Sequence, residues 1–152
     1  MAIKTAEEKQ LTKSLPRLAR AAENPDLAAA FETHLEETVG QIERIDQVME
    51  VLGIRLKRIK CAAMEGLVEE SKEVIESIEK GPVRDAALIG GAQKVEHYEI
   101  ASYGTIAALA KQLGYKDALP YLLETLEEEK STDEKLTLLA EQGGNLKAAA
   151  SK

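Results

Sequence analysis

Apolar residues recur along this chain at three- and four-residue steps, the period of an amphipathic helix. Leu11, Leu15, Leu18 and Ala22 mark one face of a first helix, α1, expected over about 5–22. Thr5 followed by Glu8 has the capping-box spacing, and Pro16 inside the segment predicts a bend or a lost hydrogen bond. Asn24-Pro25-Asp26 combines an N-cap, a proline suited to the first helical position and an acid facing the helix dipole, so α2 should start at once. It carries Leu27, Phe31, Leu35, Ile42, Ile45, Met49 and Leu52 to a stop at Gly53. A third helix, α3, is expected over 56–80, with Met64, Leu67, Val68, Val74, Ile75 and Ile78 on its apolar side and Gly81-Pro82 ending it. α4 follows over 83–113, stopped by Gly114, and α5 over 117–140 with Pro120 in its first turn. One helical domain over 1–142 and a flexible C-terminal tail over 143–152 are the expected units.

The two halves of this pattern repeat each other at a constant offset of 91 positions. Glu8 falls on Glu99, Leu18 on Leu109, Asp26 on Asp117, Leu35 on Leu126, and Glu36-Glu37 on Glu127-Glu128. The match crosses the α1–α2 loop without a gap, so the repeated unit is a helical hairpin. α3 lies outside the repeat and must connect one hairpin to the other. The expected fold is therefore all-α: a four-helix bundle of two repeated hairpins joined by a crossover helix, which is the ferritin-like topology.

Composition agrees. Ala, Leu, Glu, Lys and Ile dominate and aromatics make up only 3%. The net charge of −7 argues against non-specific attraction to nucleic acid. Arg55, Lys57, Arg58 and Lys60 read as a solvated connector rather than a basic patch. The single Cys61 rules out an intramolecular disulfide and fits a reducing compartment. With no apolar run of membrane-spanning length and no signal-like N-terminus, the expected location is the cytoplasm.

Chemistry has to come from polar residues on the buried stripes. On α4, Glu96 and Glu99 lie near the centre of the apolar line through Ile89, Ala92, Ile100 and Tyr103, about 60° apart at 100° per residue. Carboxylates placed there must be protonated, paired or bound to a cation, because burying bare charge costs several kcal/mol. On α2, His34 lies inside the stripe and Glu37 at its edge; on α5, Glu129 lies on the apolar face and Glu128 at the edge. Each has a plainer alternative. Glu8 can serve as a cap, His34 as a hydrogen-bonded core histidine, and Glu127-Glu128-Glu129 as a solvated charge run. No phosphate loop, activated nucleophile or zinc-type cysteine cluster competes with this set. Oxygen- and nitrogen-rich ligation between helices suits iron or manganese. Paired Glu-x-x-His motifs are missing, since Gly40 and Ser131 stand three residues after Glu37 and Glu128.

The segments around Ala6–Leu11, His34–Thr38, Cys61–Leu67, Glu96–Gly104 and Leu126–Lys130 resemble the YciF/YciE family of bacterial ferritin-like proteins. The similarity spans about 6–141, and Glu96-His97-Tyr98-Glu99 and His34-Leu35-Glu36-Glu37-Thr38 are its most distinctive parts. It implies a cytoplasmic, stress-associated, dimeric protein of rubrerythrin-like fold with a di-iron centre. Family members carry a longer leading stretch, so Glu8, only seven residues from Met1, is expected in a turn prone to fraying. Taken together, the expected function is binding of two iron ions, or manganese, by Glu8, His34, Glu37, Glu96, Glu99 and Glu128 or Glu129, with oxidation of Fe(II) by oxygen or peroxide. The alternative is a non-enzymatic helical stress protein acting through dimerisation or a partner. A homodimer is expected because α3 carries an apolar stripe that one bundle would leave uncovered.

Overall fold

A computed structural model describes residues 2–55 and 60–150, with side chains for all of these except 2–7, 144–146 and 148. Every regular element among them is helical: α1 Ala2–Ala21, α2 Pro25–Leu52, α3 Ala62–Ser77, α4 Pro82–Gln112, α5 Leu119–Leu139 and α6 Asn145–Ala150, with a kink over Ala140–Gly144 at Gly143 (φ 134°) between the last two. No helix among the described residues is long and apolar enough to cross a membrane.

The local chemistry explains most of these boundaries. The Asn24 side chain accepts from the Asp26 N–H and Pro25 takes the first helical position, so α2 starts where the sequence places it. Its end is a left-handed Gly53 at φ 63°, after which the Ile54 N–H reaches back to the Met49 carbonyl at 3.1 Å. Three helix starts depart from expectation. α1 already begins at Ala2, so Thr5 is an interior helical residue and not a cap. α3 begins at Ala62, not 56, because Cys61 is extended and its thiol accepts the Met64 N–H at 3.4 Å; residues 56–59 lie outside the described residues. α5 starts at Leu119, later than the repeat places it: Tyr115, the counterpart of Asn24, has no side-chain acceptor for the new helix, and a Tyr115–Ala118 turn intervenes. Beyond α5, the short helix α6 packs against α4.

The short loops make α1/α2 and α4/α5 antiparallel pairs, and α2 packs against α5 to join them. That contact is antiparallel too, since His34 faces Thr132 while Arg44 faces Thr125. α3 packs against α4 and α1. Its Met64 is fully buried, and Leu67, Val68, Val74 and Ile75 pack on the core, so the stripe expected to be left over is largely covered within the chain.

Two apolar clusters occupy opposite ends of the bundle. One holds Leu11, Leu15, Leu27, Phe31, Leu88 and Leu136; the other holds Ile45, Val48, Met49, Tyr103, Ala107 and Leu122. Along α2, α4 and α5 the residues between these clusters are polar and buried: His34, Thr38 and Gln41, then Glu96 and Glu99, then Thr125, Glu129 and Thr132. Near the first cluster, Asp85 at the start of α4 accepts the N–H groups of Glu23 and Asn24, one on each oxygen, both at 2.8 Å. These bonds tie the α1–α2 loop to the second hairpin. Asp85→Ala should therefore lower unfolding stability by about 2 kcal/mol, because two loop donors lose their acceptor. Asp85→Asn, which keeps one acceptor oxygen, should lose less. Urea denaturation of both variants reads this out, and an Ala variant as stable as the parent would show that the loop is held by other contacts.

Candidate metal centre

The polar layer has a definite geometry. His34 Nε2 lies 3.3 Å from Glu96 Oε1, and its Nδ1 lies 3.5 Å from Glu37 Oε2. Thr132 Oγ1 stands 3.4 Å from Nδ1 and donates to Glu37 at 3.2 Å. Lys135 pairs with the other Glu37 oxygen at 3.5 Å. Both ring nitrogens of His34 thus face carboxylates, one buried and one at the rim. The hydrogen bond from His34, with help from Lys135, holds the Glu37 carboxyl below the usual glutamate range despite its burial.

His34, Glu96 and Glu129 converge from α2, α4 and α5, each offering a ligand atom within 4.8 Å of the others, and all three are buried. Burial, and then the neighbouring charge of Glu129, push the Glu96 carboxyl well above its ordinary range; Glu129 also shares a hydrogen bond with it, and Glu99 and Asp133 act in the same direction. With both acids ionised, the Oε2 atoms of Glu96 and Glu129 have no donor among the described residues. A proton retained between them relieves this, and so would a cation. A nitrogen and two carboxylates from three helices, with acceptor capacity left over, fit a hard or borderline divalent metal.

The remaining expected residues divide into two groups. Glu8 and Glu99 are fully buried in the same layer. Glu8 stands in the second turn of α1, where its Oε1 accepts from the Tyr103 hydroxyl. Burial and the charges of Glu8 and Glu99 push the Tyr103 phenol far up, so it remains a donor. Glu37 and Glu128 are only partly buried and are already paired. Arg44 grips both Glu128 oxygens and also reaches Glu124, while Glu128 in turn raises the guanidinium's affinity for its proton. The adjacent Glu129 is the acid that turns inward. His97 is exposed and pairs with Asp133 at 3.3 Å.

Sequence reasoning passed over Gln41, Arg44 and Thr132. Gln41 is fully buried, and its amide donates to both Glu128 and Glu129, bracing the α5 acids from α2. Two signals were present: Gln41 stands two helical turns after His34 on the same face, and Thr132 is its counterpart in the 91-residue repeat.

The pH dependence follows from the two opposed shifts. Glu96 keeps its proton in the folded chain well above the ordinary value of 4.5, so the folded state binds the extra proton and stability falls as pH rises from that value. Glu37 is depressed, so its contribution is present above 4.5 and is lost as pH falls through its folded-state value. The metal-free chain should therefore be most stable in the mildly acid range. Glu96→Gln, which keeps the shape without the titration, should flatten the decline toward neutral pH and raise stability there. Denaturation curves between pH 4 and 8 would contradict this if the decline were the same in both proteins.

An all-helical chain with a buried histidine–carboxylate cluster between two helical hairpins is the class of protein that this fold and layer define. Residues 5–149 match the family model described as Domain of unknown function (DUF892). The chain is 66% identical over 142 residues to Protein YciF of Escherichia coli (strain K12), covering 93% of this chain and 86% of that one. Its fold is similar to the crystal structure of the E. coli stress protein YciF, with a TM-score of 0.90 at 64% identity over 94% of this chain and 90% of the other. YcfI from Rhodopseudomonas palustris is also similar, with a TM-score of 0.86 at 44% identity over 89% and 86% of the two chains. The chain belongs to the YciF stress protein family (DUF892).

Proposed function

We propose that this chain is a ferritin-like stress protein that binds divalent metal, iron first and manganese as the alternative, in the buried polar layer. The observation that supports this best is the convergence of His34, Glu96 and Glu129, with acceptor oxygens that have no donor when the acids are ionised. His34, Glu96 and Glu129 would hold a first ion, and Glu99 and Glu8 would extend the site to a second. Glu37 and Thr132 orient the imidazole from its other nitrogen, as outer groups around a metal histidine do. Gln41 and Arg44 fix the α5 acids, one on Glu129 and the other on Glu128. Tyr103 holds Glu8 by its hydroxyl. Iron bound there would supply one-electron redox chemistry, the basis for oxidation of Fe(II) by oxygen or peroxide. A cytoplasmic setting accords with the buried free thiol of Cys61.

A ligand that binds only the folded chain stabilises it by about 2.7 kcal/mol at one hundred times its Kd. Added Fe(II), kept anaerobic, or Mn(II) should therefore raise the melting temperature of the unmodified protein by several degrees. Glu96→Gln and Glu99→Gln should keep their helicity and lose that rise. A melting temperature indifferent to both metals, together with no metal retained on purification without chelator, would exclude the metal reading.

A second reading, action through self-association or a partner, is favoured by exposed apolar residues gathered at the far end of the bundle. Ile54, Leu109, Leu113 and Tyr115 line one groove there, and Leu113 is 65% exposed. In this reading the chain is a homodimer at micromolar concentration, and Leu113→Glu weakens the association. Sedimentation equilibrium giving a monomer for the unmodified chain would remove the dimer.

A further inference from the structure

Two ion pairs stand at the rim of the polar layer, and the hairpin repeat relates them. Glu37 and Glu128 lie 91 positions apart, and so do Arg44 and Lys135. Each rim acid is therefore held by the basic residue of the other hairpin, Glu128 by Arg44 and Glu37 by Lys135. Equivalent places in the frame carry unlike locks. The Arg44 guanidinium takes both Glu128 oxygens, one of them at 2.8 Å, and donates to Thr125 at 3.1 Å, while Gln41 adds a further hold on Glu128 at 3.1 Å. A planar fork on a carboxylate, here only 16% exposed, is a strong pair of fixed geometry. Glu37 has no such grip. Lys135 reaches its Oε1 at 3.5 Å, and His34 Nδ1 and Thr132 Oγ1 lie 3.5 and 3.2 Å from its Oε2, all beyond the usual hydrogen-bond range. The ammonium is a hydrated point charge on a flexible stem, and pairs this exposed contribute little.

The loose pair also stands at the mouth of a way in. One crevice is lined by Lys135, Glu37, His34 and Glu96 together with apolar side chains such as Leu11 and Phe31, and neither Arg44 nor Glu128 belongs to it. Side-chain exposure falls from 48% at Lys135 to 23% at Glu37, 3% at His34 and 2% at Glu96. At the buried end, Glu96 Oε2 has no donor among the described residues. A divalent cation moving between apolar side chains alone would lose hydration with nothing in return, so a passable route needs an anion partway. Glu37 stands at that depth, and its contact with His34, aided by Lys135, favours its charged form.

We propose that Glu37 and Lys135 form the port through which a divalent cation reaches His34, Glu96 and Glu129, with Lys135 as its gate, and that the matching Arg44–Glu128 pair is a closed counterpart. This rests on the metal reading above. The two Glu37 oxygens divide the work: Oε2 faces His34 and Thr132 and keeps the imidazole in place, whereas Oε1 is open to a cation once Lys135 swings aside. Lys135 is then both the counter-charge of Glu37 in the metal-free chain and the brake on entry.

The test is kinetic. The metal-free full chain is mixed with anaerobic Fe(II) under stopped flow and quenching of tyrosine fluorescence is timed, while calorimetric titration gives the equilibrium binding. Lys135→Gln should speed association about five- to tenfold, and Glu37→Gln should slow it about tenfold. Lys135→Arg keeps the charge but supplies a fork like that of Arg44, and should slow entry. Lys130→Gln removes a charge from the same helix, at a residue paired only with exposed Glu127, and should change the rate less than about twofold. Rates unmoved by both Lys135 variants, or raised as much by Lys130→Gln, would overturn the port. Acceleration by Arg44→Gln in place of Lys135→Gln would put the entry on the other side and overturn it as well. If the unmodified chain binds Fe(II) at equilibrium while the Lys135 variants leave the rate unchanged, the port alone fails; if calorimetry shows no binding, the metal reading fails and takes the port with it.

Discussion

Burial of negative charge governs this structure. Glu8, Glu96, Glu99 and Glu129 are all but inaccessible to solvent, in a layer that also contains His34. Several unpaired carboxylates in such a place would cost more than the stability of a small domain. The layer must therefore retain protons, recruit donors or take up a cation; its electrostatics favour the first and its hydrogen bonds supply the second. Burial and the neighbouring Glu129 keep a proton on Glu96, Tyr103 donates to Glu8, and Gln41 donates to Glu129. Once the proton leaves, the Oε2 atoms of Glu96 and Glu129 have no donor among the described residues, and a metal would take its place.

The hairpin repeat supplies the frame for this layer and leaves its chemistry asymmetric. Glu8 and Glu99 are counterparts, and so are the rim acids Glu37 and Glu128. Elsewhere the halves diverge: His34 answers to Thr125, Glu129 to Thr38, and Gln41 to Thr132. All six of these residues are buried, so the positions are equivalent in depth while only some carry ligand chemistry. The nitrogen donor comes from the first hairpin, and its two carboxylate neighbours come from the second. Apolar clusters flank the layer on either side, and Asp85 fastens the first hairpin's loop to α4.

Local chemistry made much of the fold legible. Asn24-Pro25 and Gly53 act within a few residues of their own positions, so the boundaries they set could be read directly. The α3 start could not, because a cysteine thiol capping a helix is not an ordinary signal and the apolar period continues upstream of it. α5 began late for a related reason: the repeat preserves hydrophobic spacing but not the Asn24 cap. In the polar layer, helical periodicity identified which acids face inward, as with Glu96 and Glu99, but not which meet across helices. Periodicity also put Glu129 on the apolar face and Glu128 at its edge, but not their partners Arg44 and Gln41, whose long side chains reach from α2 and whose pairing no one-dimensional pattern encodes. The exposed end near Leu113 was likewise hidden, since its apolar residues continue the same stripe that elsewhere packs into the core.

The most direct measurement of whether the polar layer is a metal centre is anomalous diffraction at the iron or manganese edge from crystals grown with that metal. The account predicts a peak inside the bundle about 2 Å from a nitrogen of His34 and from carboxylate oxygens of Glu96 and Glu129. Anomalous peaks only at surface acids, with the His34, Glu96 and Glu129 side chains still hydrogen-bonded to one another, would contradict it.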